Sequence, residues 1–306
     1  MPGIANSIRT VWIRLGDWFD TEGDPRSPAA MRILFSGIVL FLLWDFYPSM
    51  ELLFGKGGLY SVVPRDHSPI NPFSVLYFHN EPWILELWFW ATVGAAGLSL
   101  VGLRSNISFV AMYFGLVLFQ ERGEVIIYGA DALMRHFGLW LCFAEKGQSW
   151  SIDSWRAGGM RTPVPYWPLR MIQVQVTLVY GVTGLAKLST PIWQEGAALF
   201  YSLQWSGASN RLGVWLAQHR MATAILTYWA LLLELAFPIL VWWPPTRLLI
   251  LAMGVGLHAG IDLFMHIRFF FFTMLLGYLS FLGGSDWDKV ILRPKFRLSR
   301  LSFRKR

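Results

Sequence analysis

The sequence predicts an all-α, polytopic integral membrane helix bundle of about eight transmembrane helices, and three observations predict it. Of its 306 residues, 55% are hydrophobic and only 15% charged, where soluble domains carry roughly 25% charge. The mean hydropathy is +0.43, and the apolar residues gather into runs long enough to cross about 30 Å of hydrocarbon. The 17 tryptophans suit a chain with many membrane interfaces, where indole rings prefer to sit.

Residues 1–28 contain Arg9, Arg14, Asp17, Asp20, Glu22 and Asp24 and no continuous apolar core, so no signal peptide is expected there. Within them, residues 4–19 place apolar and basic side chains at helical spacing. That pattern fits a helix lying on the membrane surface and equally an ordinary capping helix on the bundle. Spans are expected near 29–48, 83–103, 106–127, 129–145, 167–189, 221–243, 246–266 and 267–284, the fourth short and the last two nearly abutting. Two long segments between them, 49–82 and 190–220, are rich in glycine and aromatics and are expected to form short helices and re-entrant turns. The glycine-rich FGKGG lacks the Lys-Ser/Thr and the strand-to-helix setting of a phosphate loop, which argues against nucleotide binding. The organisation is thus an interfacial segment (1–28), a transmembrane domain (29–285) and a basic tail (286–306).

Most of the 26 lysines and arginines fall on one side if both termini are cytoplasmic, and the run from Lys289 to Arg306 is the densest. The positive-inside rule therefore places the N- and C-termini in the cytoplasm, with a bacterial inner membrane as the expected location. A basic tail directly after a membrane helix points to anionic lipid headgroups rather than nucleic acid. The single cysteine, Cys142, excludes an internal disulfide and a Cys-rich metal site.

Candidate site residues come from charges that hydrocarbon disfavours. Lys187 lies in an otherwise apolar stretch, and Gln173, Thr177, Tyr180, Gly184 and Lys187 step by four and three along one helical stripe. An ammonium in hydrocarbon costs at least about 2.5 to 3.5 kcal/mol on insertion scales, so a chain that keeps one usually gives it a partner or a task. In the expected orientation Asp45, Glu86, Glu121, Glu124, Asp131, Arg135 and His136 lie at the outer ends of their spans, as does Lys187. Glu234, His258, Asp262 and His266 lie in the middle or outer half of theirs. These groups are expected to line one outward-facing cavity, with Asp131, Glu234 and Asp262 as candidate partners of Lys187. For Glu86, Glu121 and Arg122 the preferred reading is a plain interfacial role. His258, Asp262 and His266 are spaced by four, so adjacent pairs share a face. A structural hydrogen bond is preferred there to a metal site.

The Arg32 helix followed by FGKGGLYS, the segment GADALMRHFGLWLCFAEKGQSWSID, the helix QVQVTLVYGVTGLAKL with Trp193, Glu195 and Gly196 after it, and the His258 helix together resemble the HTTM membrane domain. That domain is shared by vitamin K-dependent gamma-carboxylases and many bacterial proteins. The resemblance runs from about residue 5 to residue 285. It implies that Lys187, in the pattern Tyr180, Gly184, Lys187 and Leu188, is a catalytic base acting on a vitamin K-type hydroquinone, with His258 bonding an oxyanion or carbonyl. Where the carboxylases have Asn-His-Ser, this chain has Gly129, Ala130 and Asp131, a variant that looks more like the bacterial members. It also ends soon after its last span, so processive carboxylation of a protein substrate is not expected.

Three functional classes follow. The first is an enzyme with catalytic Lys187, His258 and Asp131, and with Tyr180, Gly184, Glu234, Asp262 and Trp193 lining the site of a reduced isoprenoid quinone or other lipidic substrate. The second is a non-catalytic module holding lipid or quinone for a partner enzyme. The third is a transporter, disfavoured because polar groups are few in the cytoplasmic half and no internal repeat is evident. The expected partners are membrane lipid, a small lipidic substrate and a redox protein, with no nucleic acid and no metal.

Overall fold

The computed structural model describes residues 10, 12–14, 16–55, 58, 81–122, 128–159, 162–267 and 269–291, the side chain of Arg122 excepted. Several expectations therefore lie outside the described residues: Glu124, residues 4–9, most of the 49–82 segment and residues 292–306 of the tail. The described chain is helical almost throughout. Its long helices are α1 (Arg26–Phe46), α3 (Pro82–Val101), α4 (Ser105–Arg122), α5 (Gly129–Phe143), α7 (Trp167–Leu188), α11 (Arg220–Leu240), α12 (Pro244–Phe264) and α13 (Phe270–Leu279). Shorter helices are α2 (Met50–Phe54), α6 (Ile152–Arg156), α8 (Pro191–Gln194), α9 (Ala198–Gln204), α10 (Arg211–Ala217) and α14 (Gly284–Val290). One antiparallel pair, β1 (Glu22–Gly23) with β2 (Val164–Pro165), completes them.

Local sequence sets the ends of these helices. Proline opens α3 and α12 and stands at the second position of α7, where its missing N–H costs nothing. Gly102 ends α3 at φ 74°, a left-handed conformation that donates its N–H to the Leu98 and Ser99 carbonyls. Inside α11, Pro238 removes the intrahelical hydrogen bond that the Glu234 carbonyl would receive.

Among the described residues, five helical segments are long and apolar enough to cross a membrane: Arg26–Phe54, Pro82–Val101, Trp167–Leu188, Arg220–Leu240 and Pro244–Phe264. They do not confirm the expected count of about eight. Three of the anticipated spans fall short, because α5 has 15 residues and α13 has 10, while the 18-residue α4 has polar or charged residues at both ends. At roughly 1.5 Å per residue, α13 covers about half the hydrocarbon thickness.

Successive long helices run antiparallel. One end of the bundle, the Arg32 end, gathers the starts of α1, α7 and α12 with the ends of α3, α5 and α13. The opposite Lys187 end gathers the ends of α1, α4 and α7 with the starts of α3, α5 and α13. Phe35, Phe109, Phe137, Leu169 and Phe237 fill the interior, whereas Leu87, Ile107, Leu178, Val182, Leu232 and Leu249 are exposed on the outside. An apolar exterior of this extent matches a lipid-facing surface. The 190–220 segment forms α8, α9 and α10, as short helices at the Lys187 end. They are tied to α12 by the donation from Asn210 Nδ2 to the Leu263 carbonyl at 2.7 Å and from the His266 N–H to Ala208. At the Arg32 end Trp18 packs on Trp242 at 5.7 Å between ring centroids, while Trp12 and Ile13 are exposed.

Candidate functional site

The stripe on α7 faces the bundle interior, with Gln173, Tyr180 and Gly184 buried and Thr177 and Lys187 half-buried. Its neighbour there is α11. Tyr180 stacks on Phe237, centroids 4.0 Å apart and planes 10° from parallel. A Cβ on Gly184 would stand 3.2 Å from the Glu234 carbonyl carbon and 3.3 Å from its Cβ. Glycine thus permits the close approach of α7 and α11, as small residues do wherever membrane helices pack.

That approach sets the partner of Lys187. Its ammonium donates to Glu234 Oε1 and lies 4.6 Å from the centre of the Trp193 ring. Carboxylate and indole enclose it by charge pairing and by a cation–π contact. Trp193 reaches this position because the loop after α7 is fastened to α11: Tyr228 donates to the Gln194 carbonyl at 2.8 Å, and the Leu199 N–H donates to Thr227 Oγ1. The Lys187 side chain is 27% exposed and that of Glu234 9%, so the pair is enclosed but reachable. Glu234 Oε2 is buried and has no hydrogen-bond partner among the described residues.

Two turns deeper, the Tyr180 hydroxyl bonds His258 Nε2 at 2.8 Å and also the Tyr278 hydroxyl. His258 is buried, with Phe270 packed edge-on at 4.9 Å, and its Nδ1 has no partner among the described residues. Where Tyr180 donates to Nε2, the proton sits on Nδ1 and makes that atom a free donor. The seam therefore leaves one acceptor, Glu234 Oε2, and one imidazole nitrogen open. Tyr278, which joins Tyr180 from α13, carries no charge or motif and was missed in the sequence.

The other expected members separate from this group. Asp131 accepts from Gln120 Nε2 and from the Tyr128 N–H, both at 3.2 Å, which makes it the cap of α5. Gln120 in turn accepts from Arg135 Nε at 2.8 Å, and Arg135 pairs with Glu121. Asp131 and Asp45 line a cavity of about 330 Å³ with Leu42, Leu116, Phe119 and Phe269, and Lys187 is not among its lining residues. The single chamber expected around Lys187 is thus corrected: Glu234 alone of the three candidate acids pairs with it. Asp131 belongs to the α4–α5 chain, and Asp262 on α12 and His266 just beyond it are exposed.

At the Arg32 end the expectation of few polar groups is also corrected. Arg32 is fully buried and donates to the carbonyls of Ser99, Leu100 and Trp150. Lys146, also fully buried, donates to the carbonyls of Leu141 and Ala144 at 2.7 and 2.6 Å and lies over Phe109. Burial pushes the Lys146 ammonium down to about 8. Burial also opposes the charge on Asp153, but the bonds from the Ser105 N–H and hydroxyl and the Arg104 N–H outweigh it and hold that carboxyl below its usual range. Arg247 pairs with Asp286 at 3.0 Å, and Arg26 with Asp24 and Asp288. The signal for Arg32 and Arg170 was available, because both are charges inside anticipated apolar spans, which is the argument that singled out Lys187.

No solved structure matches this chain. The family model for the HTTM domain matches residues 22–287, which takes in every long helix and both sides of the α7–α11 seam. This helical membrane protein belongs to the HTTM domain family.

Proposed function

We propose that the protein is a membrane enzyme that moves a proton from a small lipidic hydroxyl compound of the hydroquinone class at the Lys187–Glu234 pair. The observation that carries this reading is the buried, unpartnered Glu234 Oε2 beside a half-enclosed ammonium. An open carboxylate oxygen is an acceptor for a substrate O–H, and the adjacent ammonium stabilises the oxyanion left behind. Lys187 serves as the base itself once its own proton has passed to Glu234, because an amine donating to a carboxylate must first give up that proton. His258 Nδ1 supplies a second contact to the substrate oxygen, with Tyr180 holding the ring. Gly184 allows the close approach, and Trp193 shields the pair from water. Asp131, which caps α5 beside a separate apolar cavity, takes no part in this chemistry. Asp262 enters only as a rim residue.

The Lys187 end faces outward in this reading, with both termini in the cytoplasm of a bacterial inner membrane, as the distribution of basic residues supports. A redox protein that regenerates the hydroquinone is the expected partner. A second reading, a module that holds quinone for another enzyme, draws support from the Trp193 ring over Lys187, which restrains the amine.

Mass spectrometry of molecules extracted from protein purified in mild neutral detergent, together with hydroquinone-dependent oxygen uptake, tests both. The expected result is bound isoprenoid quinone and turnover in the wild type, with Glu234→Gln and Lys187→Met retaining quinone but losing turnover about a hundredfold or more. Quinone binding without turnover in the wild type selects the second reading. Neither binding nor turnover overturns the proposal.

A further inference from the structure

A second cavity, of about 240 Å³, opens at the Arg32 end between the starts of α7 and α12 and is lined by Tyr166, Arg170, Gln173, Trp242 and Arg247. Two guanidinium groups from different helices thus border one polar space. Arg247 is neutralised by Asp286. Arg170 has no carboxylate partner among the described residues. One terminal nitrogen donates to Gln173 Oε1 at 3.0 Å and the other to Thr21 Oγ1 at 3.4 Å, while its buried Nε has no partner. The guanidinium is nevertheless held in place, 4.7 Å from the Trp18 ring and 5.5 Å from the Tyr166 ring. A fixed planar cation that lines a polar cavity and carries no carboxylate matches the oxygens of a phosphate group.

Two carboxylates, Glu22 and Asp24, also line the cavity, and neither is paired with Arg170. Asp24 is engaged by Arg26 through both oxygens, at 2.9 and 2.7 Å, and Glu22 is exposed. The cavity also sits at the level where helices begin and end, with Trp18 and Trp242 beside it, so it lies at headgroup depth rather than in hydrocarbon. Basic pockets between helices at that depth take acidic headgroups.

We propose that this cavity binds a phosphate-type anion, the headgroup of an acidic phospholipid or a free phosphate, with Arg170 as its principal ligand and Arg247 as the second. The site is independent of the Lys187 chemistry.

The test uses the full chain in neutral detergent. Thermal unfolding is followed with phosphatidylglycerol, phosphatidylcholine or inorganic phosphate at matched ionic strength, and native mass spectrometry counts retained lipid. Phosphatidylglycerol is expected to raise the midpoint and to remain bound, with phosphatidylcholine giving a smaller effect. A shift with inorganic phosphate alone identifies the free anion as the ligand. Arg170→Gln should weaken the effective probe about tenfold or more, the loss of a charge-assisted hydrogen bond. Lys289→Gln, at an exposed lysine on the same end, should leave it unchanged. Should Arg170→Gln not fold, Arg170→Lys keeps the charge without the planar fork and should bind severalfold more weakly. The proposal is overturned if neither probe affects the wild type, or if the Arg170 variant that folds responds as the wild type does.

Discussion

Both ends of the bundle enclose cations among apolar helices, but they give them different partners. Arg32 and Lys146 donate to backbone carbonyls where helices terminate. Two of those carbonyls, Ser99 and Leu141, also receive the helix-end N–H groups of Gly102 and Ala144, so the cations complete the bonding where the helical ladder runs out. Lys187 instead meets a side-chain carboxylate in mid-helix, and that carboxylate keeps one oxygen unbonded. A buried cation on carbonyls joins helix ends and has little left to offer a ligand. A cation on a carboxylate can exchange a proton, and the spare oxygen gives a substrate somewhere to bind. The same residue type thus serves structure at one end and has the valences for chemistry at the other.

The largest effect expected from this contrast is on stability at the Arg32 end. Arg32→Met removes the donor to three carbonyls, of which Ser99 alone keeps a helix-end N–H, that of Gly102, a loss of about 3 to 5 kcal/mol. Thermal unfolding in detergent would show it as a large fall in midpoint or as failure to accumulate in the membrane. Arg32→Lys should recover only part, since one ammonium cannot span carbonyls on two segments. A variant as stable as the wild type would break the comparison, because the carbonyl network would then not be structural.

At the Lys187 end the effect should be smaller and pairwise. Lys187→Met leaves the Glu234 carboxylate buried without its partner and should cost about 2 to 4 kcal/mol. The exposure of the lysine lets water offset part of that loss. Combining it with Glu234→Gln removes both charges, so the double variant should recover about 1 to 3 kcal/mol relative to the sum of the singles. Additive losses would mean that the two side chains do not act as a unit, and the proton-exchange reading would lose its footing.

Much of this was legible in the sequence, for physical reasons that differ by element. The long apolar runs announced α1, α3, α7, α11 and α12, because hydrocarbon requires length and low charge together. The stripe from Gln173 to Lys187 was legible because helical geometry turns residues spaced by three and four to one side. Which acid Lys187 meets was not legible, since Asp131, Glu234 and Asp262 lie on three helices whose rotations follow from packing. Gly184 against Glu234 decides it, and only the assembled pair of helices shows that contact. The role of Arg32 was not legible, although its charge was, because its partners are carbonyls, which every residue carries and no sequence pattern marks. Tyr278 was invisible for a similar reason, being one aromatic among many until α13 brings it against Tyr180.

The smallest expected effect sharpens the comparison by titration. Lys146 lies outside the long helices, and its ammonium is pushed down to about 8 from an ordinary 10.5. Burial is the largest cause, opposed by Cys142 and Glu145, with the charge of Arg32 adding to the depression. Below about pH 8 the lysine is protonated in both folded and unfolded chains, so its contribution does not vary with pH. Between about 8 and 10.5 the unfolded chain binds more protons than the folded one, and stability must rise with pH across that window. The full window would correspond to about 3 kcal/mol; the two carbonyl acceptors and the Phe109 ring favour the charged form and narrow it, so the rise should be on the order of 1 kcal/mol. A neutral amine still donates to both carbonyls, and the helix end stays closed as the charge leaves. Unfolding midpoints of the wild type and Lys146→Met over this range check it, since only the wild type should show the increment. A wild-type profile parallel to that of the variant would mean that Lys146 keeps its proton in the fold. Its carbonyl cage would then hold an ammonium as firmly as Arg32 holds its guanidinium, and the carboxylate with its open oxygen would be the whole difference between the two ends.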